Sequence, residues 1–213
     1  GYNIGRIITC LGGLPNSVPG ATFNRLCGSS MQSILTAASH IMSGWGECFL
    51  CGGVESMSRV MRRGFNWSPH PVLESSYSQA YVNMGITAEN VADLHGISRE
   101  EQERFALTSH QKATEALQAG YFDDELAPIS KSDCEIHQDD CVRPETSLES
   151  MSRLPPAFTE GGSVTAATSS PLTDGTAFSL VCSEDFALAN GLTPIAAVVA
   201  GAVTGCPPDL MGL

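Results

Sequence analysis

The residue types best suited to chemistry lie together in the run Phe23-Asn24-Arg25-Leu26-Cys27-Gly28-Ser29-Ser30-Met31-Gln32-Ser33. Ala21, Thr22 and Phe23 are strand-compatible, and Cys27 with Gly28 is small enough for a sharp change of direction. From Met31 onward Ile34, Leu35, Ala38, Ile41 and Met42 recur with helical spacing. Cys27 is therefore predicted to stand where a strand ends and a helix begins. There the positive end of the helix dipole and free backbone N–H groups favour a thiolate, the form that attacks a carbonyl carbon. The plainer alternative is a small buried hydrophobe, the commonest use of a free cysteine in a chain that has eight of them.

The elements that must position this turn alternate. Ile4, Ile7, Ile8 and Leu11 mark one face of a short helix, which Gly12-Gly13 ends and Pro15 keeps ended. The cysteine turn and its helix follow, and residues 48–54 read as a buried strand. Helix, strand, helix, strand is the pattern of an α/β domain with a parallel sheet. Beyond residue 55 the composition changes. Arg59, Arg62 and Arg63 concentrate cations, while Trp67, Pro69 and Pro71 argue for loop. Thr87 is expected to cap a short helix through Leu94, closed by Gly96. Ser98-Arg99-Glu100-Glu101 is a capping box for a helix to Ala119, with Phe105, Ala106, Ala113, Ala116 and Leu117 inward. Residues 133–162 read as polar loop with a turn of helix at 148–151. A strand is expected at 176–182, a short helix capped by Ser183, and a last apolar strand at 195–203.

Composition narrows the function. A net charge of −12 argues against nucleic acid or an anionic membrane as a general partner. A small phosphorylated ligand needs only a few local cations. No stretch is long and apolar enough to span a bilayer, and no signal-peptide pattern opens the sequence. Eight irregularly spaced cysteines suggest free thiols in a reducing compartment. Cys48 and Cys51, three apart on a strand, face opposite sides and cannot converge. Cys134, His137 and Cys141 could hold a metal, but no second pair of ligands accompanies them, and no metal is expected. The absence of an initiator Met, and a C-terminus without a closing element, suggest an internal piece of something longer.

With Gly52-Gly53-Val54-Glu55-Ser56-Met57-Ser58 added, the cysteine run resembles the thiolase family, in which this cysteine carries the acyl group. Further blocks are similar in the family's order: Asn3-x-x-Arg6, Gly13-Leu14-Pro15 and Val18-Pro19; Met84-Gly85-x-Thr87-Ala88-Glu89-Asn90; Ser98-Arg99-Glu100-Glu101-Gln102; Ser109-His110-Gln111-Lys112-Ala113; Pro156-Ala157-Phe158; and Val164-Thr165-Ala166 through Asp174-Gly175. The resemblance implies an α/β thiolase fold, a layered α-β-α core domain with an inserted, mostly helical and irregular loop domain. Residues 1–58 would belong to the N-terminal core domain, 59–162 to the loop domain, and 163–213 to the return into the core. The C-terminal core domain would be absent.

The implied chemistry is acyl transfer between thiols. Cys27 would attack the keto carbonyl of a 3-ketoacyl-CoA, acetyl-CoA would leave, and free CoA would take the acyl group; the reverse is condensation. Carried over by position, Arg143 would lie near the nucleotide and Phe158 against the adenine or pantetheine. Ala166 and Ser170 would line the pantetheine channel, and Met84 would border the acyl pocket. Met84 could equally be core, and Arg143 a surface ion-pair partner. Many thiolases have a histidine where this chain has Asn83, which still hydrogen-bonds but cannot titrate. Thr168 replaces the usual Asn, so a loop hydrogen bond is expected to be lost.

Coenzyme A would be a co-substrate, with no permanently bound cofactor. The resemblance implies a homodimer or homotetramer; a cytoplasmic location is expected, and neither nucleic acid nor membrane is expected as partner. The family's Gly-His-Pro histidine and Cys-x-Gly-Gly cysteine belong to the second core domain and have no counterpart here; Cys51-Gly52-Gly53 sits at a strand end instead. This stretch alone is therefore expected to be inactive. Two other readings compete: a ketoacyl-synthase-like condensing protein, and a non-catalytic CoA-binding or dimer-forming remnant.

Overall fold

The computed structural model describes residues 2–60, 64–131 and 134–213. In chain order its helices and strands are α1 (Ile4–Leu11), α2 (Ser29–Met42), β1 (Cys48–Ser56), α3 (Pro71–Ser76), α4 (Met84–His95), α5 (Arg99–Gln118), β2 (Ile129–Lys131), β3 (Cys134–Ile136), α6 (Leu148–Ser152), β4 (Asp174–Cys182) and α7 (Glu184–Ala189). They fall into two compact units, residues 1–64 with 173–203 and residues 65–172 with 204–213.

In the first unit β1 pairs with β4, Cys48 opposite Cys182 through Ser56 opposite Asp174. The pairing is antiparallel, which corrects the expectation of a parallel sheet. The α/β class holds, but the two ladders among the described residues both run antiparallel. Helix α2 covers one face. Phe49 meets His40, Cys51 Sγ lies 3.6 Å from the Ser33 carbonyl, and Gly53 leaves room for Ser30, so the odd-numbered residues of β1 face the helix. The other face carries Leu50, Phe178 and Leu180, all exposed. The strand is therefore not buried on both sides as its apolar letters suggest; only Cys51 is buried. In α2 the buried residue is Ala37, and Met42 at the end of the stripe is exposed.

Residues 195–203 form no strand, and Ile195 and Val199 are almost fully exposed. An apolar run becomes a strand only where a ladder partner satisfies its backbone, and no described segment pairs with this one. α1 is tied down by polar contacts instead. Asn3 caps it by accepting from the Arg6 amide, donates to the Gly20 carbonyl at 2.5 Å, and accepts from Thr22 Oγ1 at 2.7 Å. Arg6 reaches the carbonyls of Val18 and Asn16. This is the structural use of the Asn3-x-x-Arg6 pair.

The second unit corrects four further expectations. Pro71 opens α3 at its first turn, where its missing N–H costs nothing, so this segment is not all loop. The cap of α4 is Asn83, not Thr87; Thr87 is buried and donates to the Met84 carbonyl at 2.7 Å. The loop reading of residues 133–162 misses β3, whose hairpin with β2 pairs Ile129 with Ile136. Phe105 points outward, 79% exposed, while Glu103 is the buried residue of α5. Glu103 is buried because Arg99 pairs with it at 2.7 Å; Arg99 also donates to the carbonyls of Met151, Ser152 and Leu154, binding the end of α6. The Ser98–Glu101 capping box, the Gly96 left-handed cap and the Ser183 cap form as the sequence predicts.

Candidate active site

Cys27 is exposed and lies two residues before the first residue of α2. Residues 21–23 ahead of it join no ladder, so the predicted strand-to-helix turn is entered from a segment without regular secondary structure. The turn itself is held tightly. Asn24 Oδ1 accepts from the Leu26 amide at 3.0 Å, and the Gly28 amide donates to the Arg25 carbonyl at 3.0 Å. Ser29 Oγ accepts from the Arg25 amide at 2.8 Å and donates to the Leu26 carbonyl at 2.7 Å. These bonds hold Leu26 at φ 50, the one non-glycine residue at positive φ among the described residues. A bulky side chain in the left-handed region is disfavoured by about 1–2 kcal/mol and persists only when its surroundings over-determine it. Here the strained residue directly precedes the cysteine, and Gly28, the N-cap, makes no side-chain capping bond.

Sequence reasoning missed the roles of Asn24, Leu26 and Ser29. The available signal was two short polar residues flanking a turn, each able to bond nearby backbone. It also missed Asp174, whose carboxylate joins the start of β4 to the end of β1. Hydrogen bonds from Ser58 Oγ and the Ser58 amide, with one from Ser56, hold its carboxyl below the usual range. That clasp fixes the segment just after the Gly52-Gly53 stretch.

In the second unit several expected ligand-contacting residues share one neighbourhood. Asn83 Oδ1 accepts from the Gly85 amide at 2.9 Å, so its side chain starts α4. The ring of Phe158 lies across Gly85, where any Cβ would fall inside the ring. Phe158 lines a cavity of about 320 Å³ together with residues 156–161. Met84, the residue before Gly85, is exposed. The Ala157 amide donates to the Val164 carbonyl at 2.9 Å and Pro156 bridges Thr165, which brings the Phe158 segment beside the chain leading to Ala166. Ala166 opens a short 3₁₀ turn, and both Ala166 and Ser170 are exposed. Thr168 Oγ1 accepts from the Thr165 amide at 3.0 Å and donates to its carbonyl at 3.3 Å. Threonine at this position thus makes hydrogen bonds of its own within the loop.

Arg143 is held by other partners. Its amide donates to His110 Nδ1 at 3.1 Å and its guanidinium to the Asp140 carbonyl at 2.8 Å; it is exposed. Among the described residues no His, Cys, Asp and Glu side chains gather as a metal site. His137 pairs with Glu135 at 3.0 Å, and the side chain of Cys134 lies outside the described residues, as do Arg62 and Arg63.

The residue organising this neighbourhood is Glu89. It is only 8% exposed, and its carboxylate accepts from the Ser163 amide, Ser163 Oγ and the Val164 amide, each at 2.9 Å. Burial opposes its ionisation, but the Ser163 and Val164 donors outweigh it and hold the carboxyl below its ordinary value. The sequence signal was an acid spaced four residues from Gly85 and three from Ala92, on the buried side of α4. Gly85 yields a direct test. Alanine there should destabilise the protein by about 2 kcal/mol through overpacking against Phe158, measured by urea unfolding. A stabilised Gly85→Ala, the ordinary result in a helix, would show that the ring does not depend on the missing Cβ.

The fold and the site together define an α/β protein that displays a cysteine on a strained turn at a helix start. The family description "Thiolase, N-terminal domain" matches residues 1–185. The chain belongs to the thiolase family. It is 47% identical over 219 residues to a 3-ketoacyl-CoA thiolase of Cronobacter sakazakii, covering all of this chain and 56% of that one. A 3-ketoacyl-CoA thiolase of Pseudoalteromonas translucida is 46% identical over the same shares. Human mitochondrial 3-ketoacyl-CoA thiolase in complex with CoA superposes with TM-score 0.84 at 38% identity, over 97% of this chain and 55% of that one. The dimeric peroxisomal thiolase of Saccharomyces cerevisiae gives 0.90 at 33% identity, over 97% and 54%. The chain spans about half the length of the curated relatives it matches.

Proposed function

We propose that the full-length protein is a thiolase that cleaves 3-ketoacyl-CoA, or runs the reverse condensation, through an acyl-enzyme on Cys27. The observation that carries this is the held turn with Leu26 at φ 50, which presents an exposed cysteine ahead of an uncapped helix start. The Cys27 thiolate adds to the C3 carbonyl, the C2–C3 bond breaks, and the departing acetyl-CoA carbon takes a proton. The thiol of free CoA then attacks the thioester, returning the Cys27 thiolate. Coenzyme A is the co-substrate. Phe158, Ala166 and Ser170 receive the pantetheine side, Arg143 the phosphate side, and Met84 with Asn83 the approach to the acyl group. The shared neighbourhood of Asn83, Phe158 and Ala166 supports this division, as do the names of the relatives. No described helix is long and apolar enough to cross a membrane. The protein works in the cytoplasm as a homodimer or homotetramer, and the dimeric yeast relative supports the self-association.

Trapping tests the central step. Brief incubation with acetyl-CoA, acid quench and peptide mapping should place an acetyl group on the peptide containing Cys27. An adduct on Cys182 or Cys206 instead would overturn the assignment.

A further inference from the structure

Two cysteines outside the proposed site face each other across the sheet. Cys48 opens β1 and is directly opposite Cys182, the last residue of β4. The phase of the ladder comes from the neighbouring pair, where the Ser183 amide donates to the Glu47 carbonyl at 2.9 Å. Because hydrogen-bonded and non-hydrogen-bonded pairs alternate along an antiparallel ladder, Cys48 and Cys182 form a non-hydrogen-bonded pair. Such pairs hold their Cα atoms about 4.5 Å apart with side chains close together on one face, within the range a disulfide spans. Cys51 and Phe49 face α2, so the Cys48–Cys182 pair occupies the opposite face, beside Leu50 and Leu180. Both thiols are free; Cys48 is exposed and Cys182 half-buried. Burial, and then the neighbouring Cys182 thiol, push the Cys48 thiol above its ordinary value.

We propose that Cys48 and Cys182 are a redox modification site, forming a reversible cross-strand disulfide that locks β1 to β4. The oxidant is a small-molecule disulfide of the glutathione class. The Cys48 thiolate attacks one sulfur of oxidised glutathione, forming a mixed disulfide and releasing one glutathione thiolate. The Cys182 thiolate then attacks the Cys48 sulfur of that mixed disulfide and releases the second glutathione. The two cysteines lose two electrons and two protons, and oxidised glutathione becomes two reduced molecules. With Cys48 mostly protonated near neutrality, the first step accelerates as pH rises. The bond closes a long loop between distant parts of the sequence, the case in which a cross-link constrains the unfolded chain most.

The test is oxidation of the native full-length protein with oxidised glutathione, alkylation of remaining thiols, and mapping without reduction. The expected product is a linked peptide pair joining Cys48 to Cys182, lighter by two hydrogens, that dithiothreitol separates. Thermal unfolding of the oxidised protein should shift upward by about 5 °C. Cys48→Ser, a change at an exposed site, should leave Cys182 alkylatable and remove the shift. Separate glutathione adducts on the two cysteines, Cys48 linked to any other cysteine, or both thiols still alkylated would overturn the proposal.

Discussion

Cys27→Ala in the full-length protein is expected to lower CoA-dependent cleavage of acetoacetyl-CoA by about 10⁴-fold or more. In the proposed reaction the Cys27 thiolate would supply the only bond to the acyl group between the two half-reactions, so nothing would remain to hold the intermediate once sulfur is removed. The fold should not suffer. Cys27 is exposed, and the turn is held by Asn24, Arg25, Leu26 and Ser29 through bonds that do not involve its side chain. Unfolding midpoints of the variant and parent should therefore agree, which separates lost chemistry from lost structure. Cys27→Ser should be nearly as slow, because a hydroxyl is far less ionised than a thiol at the same place. Turnover of Cys27→Ala within tenfold of the parent would show that the acyl group is carried elsewhere.

The second large effect is expected at Glu89. Glu89→Ala leaves the Ser163 and Val164 amides without their acceptor at a buried position, and should cost about 3 kcal/mol in urea unfolding. The same change frees the chain that leads to Ala166, so KM for CoA should rise more than kcat falls. Glu89→Gln keeps one acceptor oxygen and the shape, and should recover part of both losses. The pH dependence follows from the sign of the shift. The folded carboxyl titrates below the ordinary glutamate value of about 4.3, so its contribution is fully present above that pH and is lost as pH falls through the lowered folded value. The stability gap between the parent and Glu89→Gln should be constant near neutrality and close in the acid range. A gap that persists unchanged to low pH would show that charge at Glu89 does not contribute.

What the residues alone determine here is local. The capping box at Ser98 and Glu101, the left-handed cap at Gly96 and the Ser183 cap are each specified by a few adjacent groups, and each forms where the letters place it. The turn at Cys27 is legible for the same reason: small and hydrogen-bonding residues precede an apolar helical repeat. The identity of the family was legible because several such blocks occur in one order.

Tertiary structure decided whatever depends on a distant partner. β1 and 195–203 read alike as apolar runs, yet one meets β4 and becomes a strand while the other meets no described ladder and does not. Antiparallel pairing was equally invisible, because the apolar letters of a strand do not name the direction of its neighbour. Phe105 and Glu103 exchange their expected places, since Arg99 and the carbonyls at the end of α6 make burial of a charge favourable there. Glu89 is the clearest case. Its helix is written in nearby residues, but its role is written in Ser163 and Val164, more than seventy positions away. A side chain's chemistry is set by what solvates it, and in a folded chain that solvent is mostly residues far along the sequence.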